Sequence, residues 1–460
     1  MVFSSLTFLC IFLPAVLLLY NISRNTLYRN IVITVASLVF YAWGDPTSLV
    51  LLIAASFVNF ILAIIMDRYH GFKRAKVFLI IAVVLDVAML GVFKYAAFFA
   101  GTINSLFHLS IPVPDMILPL GISFYTFQMI SYVVDVYRNE SRAQKSYLKF
   151  LMFVSMFPKV SSGPIVRYPA IEKSLAKRQV RATDFAQGSK RFIMGLGKKV
   201  ILADYAGEAA SLLLGGATHA TTGSAWLGII FYTFQLYFDF SGYSDMAIGI
   251  GRMLGFTFQE NFNYPYISRS VTDFWRRWHM SLSSFFRDYI YIPLGGNRRL
   301  QMRNIFVVWI LTGLWHGASW NFVIWGLYYG ALLVIEKLLF KWWSKIPVLS
   351  NITTMFAVVI GWTIFYFTDF EQLRVFFGYL FGQGCQLYDL TTVSLLCSNA
   401  WLLAACILVS TPLPKLAYEY LTSVKRVGVV IDVICLTAIF VGCIALLTGA
   451  TSTPFLYVKF

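Results

Sequence analysis

Two of the five histidines stand in stretches where an imidazole could be put to chemical use. His316 lies in Leu311-Thr312-Gly313-Leu314-Trp315-His316-Gly317-Ala318-Ser319-Trp320-Asn321, near the middle of an apolar region covering 304–336. An imidazole in a low-dielectric interior is favoured as the neutral ring, and a neutral ring is what a general base requires. Gly313 and Gly317 have the small-xxx-small spacing that lets a second backbone approach closely. Ser319 and Asn321 add polarity that suggests a cavity, with Trp315 and Asn321 as candidate substrate-binding residues. The competing reading is a histidine hydrogen-bonded to a neighbouring helix, with the glycines as plain packing.

His279 falls in the run from Ser270 to Tyr289. Ser270 and Asp273 resemble a helix start, an Ncap followed by an acid in the first turn. Phe274, Trp275, Trp278, Leu282, Phe285, Phe286 and Tyr289 then share one face at helical spacing, with Arg276, Arg277, Ser284 and Arg287 opposite. That pattern predicts one amphipathic helix lying at a membrane surface, with His279 on its inward side. Packing at that surface would also explain this histidine. Arg276 and Arg277 are candidate cofactor contacts, as is Arg298, where Gly295-Gly296-Asn297-Arg298-Arg299 could cradle a phosphate through exposed amides and guanidinium. A turn carrying solvated charges fits the same residues. His70, His108 and His219 fall in loops or at span ends and are given no role.

Other ionisable groups sit where an apolar environment is predicted, and such groups persist in a membrane only when paired or used. Asp239 and Asp245 bracket Asp239-Phe240-Ser241-Gly242-Tyr243-Ser244-Asp245, too polar to face lipid. They read as polar interior residues with a structural role, pairing with arginines of the 269–303 segment.

The elements that must hold these groups are membrane helices. Of the 460 residues, 58% are hydrophobic and 13% are charged, about half the charged fraction of a soluble protein. Apolar runs of about 17–25 residues recur along the chain without the alternation of a β-barrel. The fold class is all-α, a single polytopic domain of roughly 11–12 spans with re-entrant segments around a central funnel or tunnel. The first run, Val2 to Tyr20, lacks a basic n-region and a small-residue cleavage site and reads as a retained span. Six cysteines are scattered, Cys385 and Cys397 could pair in an outer loop, and no CxxC or histidine cluster points to a metal.

The 37 Lys and Arg residues give a net charge of +16, but they concentrate in linkers 67–76, 138–149, 167–199, 252–303, 337–345 and 415–426. Linkers 99–117, 216–224 and 382–396 carry almost none. The positive-inside rule puts the first set in the cytoplasm, with anionic lipid headgroups and not nucleic acid as the partner. The apolar stretch 147–165 is flanked by basic segments on both sides and contains Pro158, Gly163 and Pro164. It therefore reads as re-entrant, or else as a kinked full span with one basic loop outside.

Several segments resemble, in order, the bacterial branch of the membrane-bound O-acyltransferase (MBOAT) superfamily that acetylates alginate and D-alanylates teichoic acid. They are Met1-Val2-Phe3-Ser4-Ser5, Phe40-Tyr41-Ala42-Trp43, Pro119 to Phe127, Phe157-Pro158 through Gly163-Pro164, Asp239 to Met246, the His279 segment and Trp315-His316-Gly317. The resemblance covers most of residues 1–335. It implies that His316 is the buried catalytic histidine and His279 a second one nearer the cytoplasm. Tyr289 to Arg298 looks more like the polysaccharide-acetylating side. The resemblance further implies acetyl-CoA as acyl donor with no bound cofactor, and a polysaccharide acceptor. It also implies an extracytoplasmic SGNH-type, serine-hydrolase-like acetyltransferase partner and residence in a bacterial inner membrane. In that scheme His316 deprotonates a hydroxyl or relays the acyl group, while His279 orients the thioester or supports the oxyanion. D-alanyl transfer to teichoic acid remains an alternative, as does a transporter or flippase, although no internal repeat of the transporter kind is present.

Overall fold

The computed structural model describes residues 1–215, 221–339, 346–449 and 455–456. His219 and parts of linkers 216–224 and 337–345 lie outside the described residues. Every extended regular element among the described residues is helical. The chain gathers into two compact units, one built mainly from Met1–Phe192 with Ser244–Glu260, the other from Ile193–Tyr243 with Asn261–Leu456.

Six helices among the described residues are long and apolar enough to cross a membrane, or seven if the bent pair Leu390–Ser398 and Ala400–Val409 is one span. The sequence reading of 11–12 spans includes apolar runs that form shorter helices. Ile122–Tyr137 and Gln301–His316 are only 16 residues each, about 24 Å of helix against a hydrocarbon core of about 30 Å. Ile122–Tyr137 buries Gln128 and Asp135 along with its apolar side chains, so this run is apolar because it faces protein. The spanning helices look different. Lys73–Leu90 exposes Val77, Ile80, Ile81, Val84, Leu85 and Val87, an apolar surface that water would not tolerate and lipid accepts.

The first unit contains the 147–165 stretch. Its helix, Tyr147–Ser155, stops after nine residues, about 14 Å and too short to cross. The chain then turns through 156–166 with every residue buried, a helix break of the kind that Pro158, Gly163 and Pro164 predict. Non-helical backbone at this depth needs protein around it, and it has it: Ser37 Oγ accepts from Phe157 N–H at 3.0 Å. Gly121, at φ +67°, lies against Val160, where any Cβ would meet backbone. Asp245 also belongs to this unit. Its partner is Arg191, at 2.8 Å from Nη2 and 3.0 Å from Nε, and not an arginine of 269–303.

In the second unit the apolar region 304–336 is broken, as two antiparallel-packing helices, Gln301–His316 and Trp320–Leu339, joined at His316. Glycine makes the close approach possible. A Cβ at Gly313 would collide with the Phe322 carbonyl, and one at Gly326 with the Trp309 carbonyl. Asp239, like Asp245, pairs with a cation outside the 269–303 segment. It sits 2.7 Å from Lys199 Nζ, which also lies 2.8 Å from Asp204, and it accepts the Leu456 N–H at 2.8 Å. Lysine rather than arginine neutralises it because Lys199 is carried on the adjoining turn Lys198–Ala203. Cys385 and Cys397 are free thiols, not a disulfide.

Candidate active site

Both histidines of interest lie in the second unit, and aromatic rings bring them together. His316 is the last residue of Gln301–His316, after which Gly317 turns the chain into extended backbone. It is 4% exposed. Its ring is packed edge-on by Trp315 at 4.9 Å, Trp325 at 5.0 Å and Phe365 at 5.3 Å between centroids. These rings come from three helices, Gln301–His316, Trp320–Leu339 and Pro347–Tyr366. The imidazole is therefore held where the three helices meet.

His279 is 2% exposed, with Phe240 at 4.7 Å and Trp315 at 5.7 Å. Trp315 thus touches both imidazoles. The predicted continuous amphipathic helix does not form. Val271–Arg277 ends at Trp278, and Met280–Phe286 starts a new helix after His279. His279 itself is left-handed, at φ 43° and ψ 54°. A non-glycine residue there costs on the order of 1–2 kcal/mol, and the side-chain pattern gives no warning of it because the apolar face continues through the break. Ser270 does cap the first piece, accepting the Asp273 N–H.

The strain is held by Asn261, which the sequence reading missed. Met280 N–H donates to the Asn261 carbonyl at 2.9 Å. The Asn261 side-chain oxygen meets Ser281 N–H at 3.2 Å, Ser281 Oγ at 2.9 Å and His279 Nδ1 at 3.1 Å. His279 lies outside the spanning helices, and burial pushes its imidazole down to about 3, since low dielectric disfavours the charged ring. No spacing rule connects residues 261 and 279, so no sequence signal was available. Lys199 was missed because it sat in a linker rich in basic residues. Its ion pair fixes Asp239, the neighbour of the Phe240 ring that packs on His279.

The remaining candidates divide. Asn321 is fully buried and donates from Nδ2 to the Ile364 carbonyl at 3.3 Å, one residue before the Phe365 that flanks His316. It tethers the wall of the site. Arg277 bonds Asp273 at 2.9 Å and the Asn263 carbonyl. Arg276 and Arg298 are exposed, and among the described contacts neither touches an imidazole. In the glycine turn the Gly295 and Gly296 amides are already engaged. Gly295 N–H donates to Ile292 O and Gly296 N–H to Tyr291 O, while Asn304 Nδ2 holds the Gly296 carbonyl at 3.0 Å.

Two buried imidazoles converging on one tryptophan in a polytopic helical protein make this the candidate active site of a membrane enzyme. The family model for MBOAT, the membrane-bound O-acyltransferase family, matches residues 138–373, which contain both histidines. The chain is 42% identical over 408 residues to the probable alginate O-acetylase AlgI of Pseudomonas aeruginosa, covering 86% of this chain and 78% of that one. It is 33% identical to the peptidoglycan O-acetyltransferase of Helicobacter pylori, covering 85% and 82%. To the teichoic acid D-alanyltransferase of Bacillus subtilis it is 32% identical, covering 54% and 67%. The chain belongs to the membrane-bound O-acyltransferase family and is an O-acyltransferase.

Proposed function

We propose that the protein moves an acetyl group from cytosolic acetyl-CoA towards a cell-surface polysaccharide or exopolysaccharide outside a bacterial inner membrane. The observation that carries this reading is the pair of buried imidazoles meeting at Trp315, in a chain whose long matches are to relatives named as O-acetylating proteins. The D-alanylating relative matches over a shorter share of the chain, so acetyl is favoured as cargo. Acetyl-CoA is too polar to cross lipid and the acceptor stays outside, so the enzyme must let the two meet within its membrane domain. His316 takes the proton of the attacking hydroxyl or relays the acyl group, and His279 orients the thioester or supports the oxyanion. The acceptor hydroxyl would be presented by an extracytoplasmic serine-hydrolase-like acetyltransferase.

Labelled acetyl-CoA, offered to the purified chain in lipid nanodiscs, tests the reading. CoA release without any ion gradient supports an acetyltransferase. Turnover of D-alanyl-loaded carrier protein in place of acetyl-CoA moves the assignment to teichoic acid acylation. Gradient-dependent solute uptake in vesicles, with no thioester cleavage, makes the protein a transporter.

A further inference from the structure

The helical stretch that begins at Lys73 is longer than a bilayer is thick. It runs 35 residues to Phe107, about 52 Å of helix. Lys73, Arg74 and Lys76 are exposed at its start, and cations mark the cytoplasmic end of a span. From Lys76 the helix climbs about 45 Å to Leu106, or about 42 Å at the average tilt of about 20°. The hydrocarbon core and its outer headgroups end about 35–38 Å above the inner boundary of that core. The far end therefore stands clear of lipid, on the outer side. Its tip is apolar. Leu106 and Phe107 close the helix, His108 turns the backbone through the left-handed region at φ 50° and ψ 37°, and Leu109, Ile111 and Val113 follow. Asn104 Nδ2 donates to the Ile111 carbonyl and the Ile111 N–H donates to Asn104 Oδ1, both at 2.8 Å. The returning chain is thus clamped beside the last helical turn, and Pro112 and Pro114 stiffen what comes next. The five apolar side chains are between 41% and 68% exposed.

We propose that this tip, Leu106, Phe107, Leu109, Ile111 and Val113, is the docking surface for a protein domain on the outer side, the acetyltransferase that takes the acyl group onward. A cluster of exposed apolar side chains rimmed by polar residues marks an interaction site, and here lipid does not reach it to serve as the cover. The polymer itself is a poor match. Four of the five side chains are aliphatic and offer a sugar neither a hydrogen bond nor a flat ring. Charge argues the same way, since 99–117 holds no Lys or Arg and one acid, Asp115, leaving an acidic polymer or headgroup nothing to pair with. An apolar groove on a folded protein is what remains. The clamp at Asn104 and the two prolines hold the tip in shape before docking, so little conformational freedom is lost on binding. The identity of the occupant rests on the acetyl-transfer reading above; the docking of an outer protein does not.

Two measurements test it on the full chain in the cells that make it. With Leu109 replaced by the photoreactive residue p-benzoylphenylalanine, illumination should give a covalent adduct to an extracytoplasmic protein, identified by mass spectrometry as an acetyltransferase. Adducts to lipid alone, or to a second copy of this chain, overturn the proposal. The second measurement uses Leu109→Asp combined with Ile111→Asp, which puts charge on the tip and touches neither histidine. CoA release from acetyl-CoA by the purified variant in nanodiscs should match the parent, which also shows that it folds. Ester-linked acetate on the cell-surface polysaccharide should fall by about tenfold, the loss expected when an apolar anchor of an interface is replaced by a charge. Unchanged polymer acetate in that variant overturns the proposal. A parent that releases no CoA and leaves no acetate on the polymer sinks the acetyl-transfer reading instead. The photoadduct then decides the docking by itself: an outer protein supports it, and lipid or a second copy ends it.

Discussion

Replacing Gly313 by alanine should separate catalysis from folding, because Gly313 sets how closely the helix that ends in His316 meets its neighbour. An alanine Cβ at 313 would strike the Phe322 carbonyl oxygen, with the Phe322 carbonyl carbon at 3.0 Å and the Gly326 nitrogen at 3.4 Å. These are backbone atoms and have no rotamer to escape into. Reaching ordinary contact requires the helices to part by about 1 Å. His316 rides on Gln301–His316, while Trp325 and Phe365 ride on other helices, so the imidazole moves relative to its own enclosure. Overpacking of this kind costs about 1–3 kcal/mol of stability, and a shift of about 1 Å at a reacting group costs on the order of 10²-fold in rate. Gly442→Ala is the control, since a Cβ there meets nothing within 4 Å. The assay is CoA release at saturating acetyl-CoA alongside thermal unfolding in detergent. Gly313→Ala should lose about two decades of kcat and remain folded, and Gly442→Ala should match the parent. A Gly313→Ala enzyme with the parent kcat would refute the view that this helix contact positions the imidazole.

Lys199→Met should destabilise the fold by about 3–5 kcal/mol, because it strands the buried Asp239 carboxylate; adding Asp239→Leu should recover much of the loss, as read from unfolding midpoints of the single and double variants. Burial pushes the His279 imidazole down to about 3 from 6.5, so between those values the unfolded chain takes up a proton that the folded chain does not. This contribution to stability is complete above about pH 6.5 and declines as pH falls below it; His279→Gln should flatten that part of the curve of midpoint against pH, and an unchanged slope would contradict the buried neutral ring. Arg276→Gln combined with Arg298→Gln, both exposed, should raise KM for acetyl-CoA and leave kcat alone if these guanidiniums meet the donor's phosphates outside the reacting centre, which steady-state kinetics would show.

Much of the fold was legible because lipid imposes length and polarity on the elements that cross it. Pro46–Arg68 and Pro347–Tyr366 follow their apolar runs closely. The break within 304–336 falls at Gly317, just before the polar Ser319 and Asn321. What escaped was of two kinds. How far a helix such as Ile122–Tyr137 faces protein was not legible, because protein and lipid make the same demand on side chains. Partners distant in sequence leave no periodic trace, so Lys199 with Asp239 and Asn261 with His279 emerge only from the packed chain. The His279 helix failed for a related reason. Its apolar face runs unbroken across Trp278 and Met280, while a left-handed residue interrupts the backbone between them. That departure from local rule falls at the site itself, where such departures concentrate.

The proposed transfer depends most on His316 acting on the acyl group. His316→Gln keeps the volume and polarity of the side chain while removing a titratable nitrogen, and its acetyl-CoA turnover in nanodiscs should fall by about 10²–10⁴-fold with an unfolding midpoint near that of the parent. Turnover at the parental rate in that folded variant would contradict the assignment and leave the aromatic enclosure at 316 a matter of packing alone.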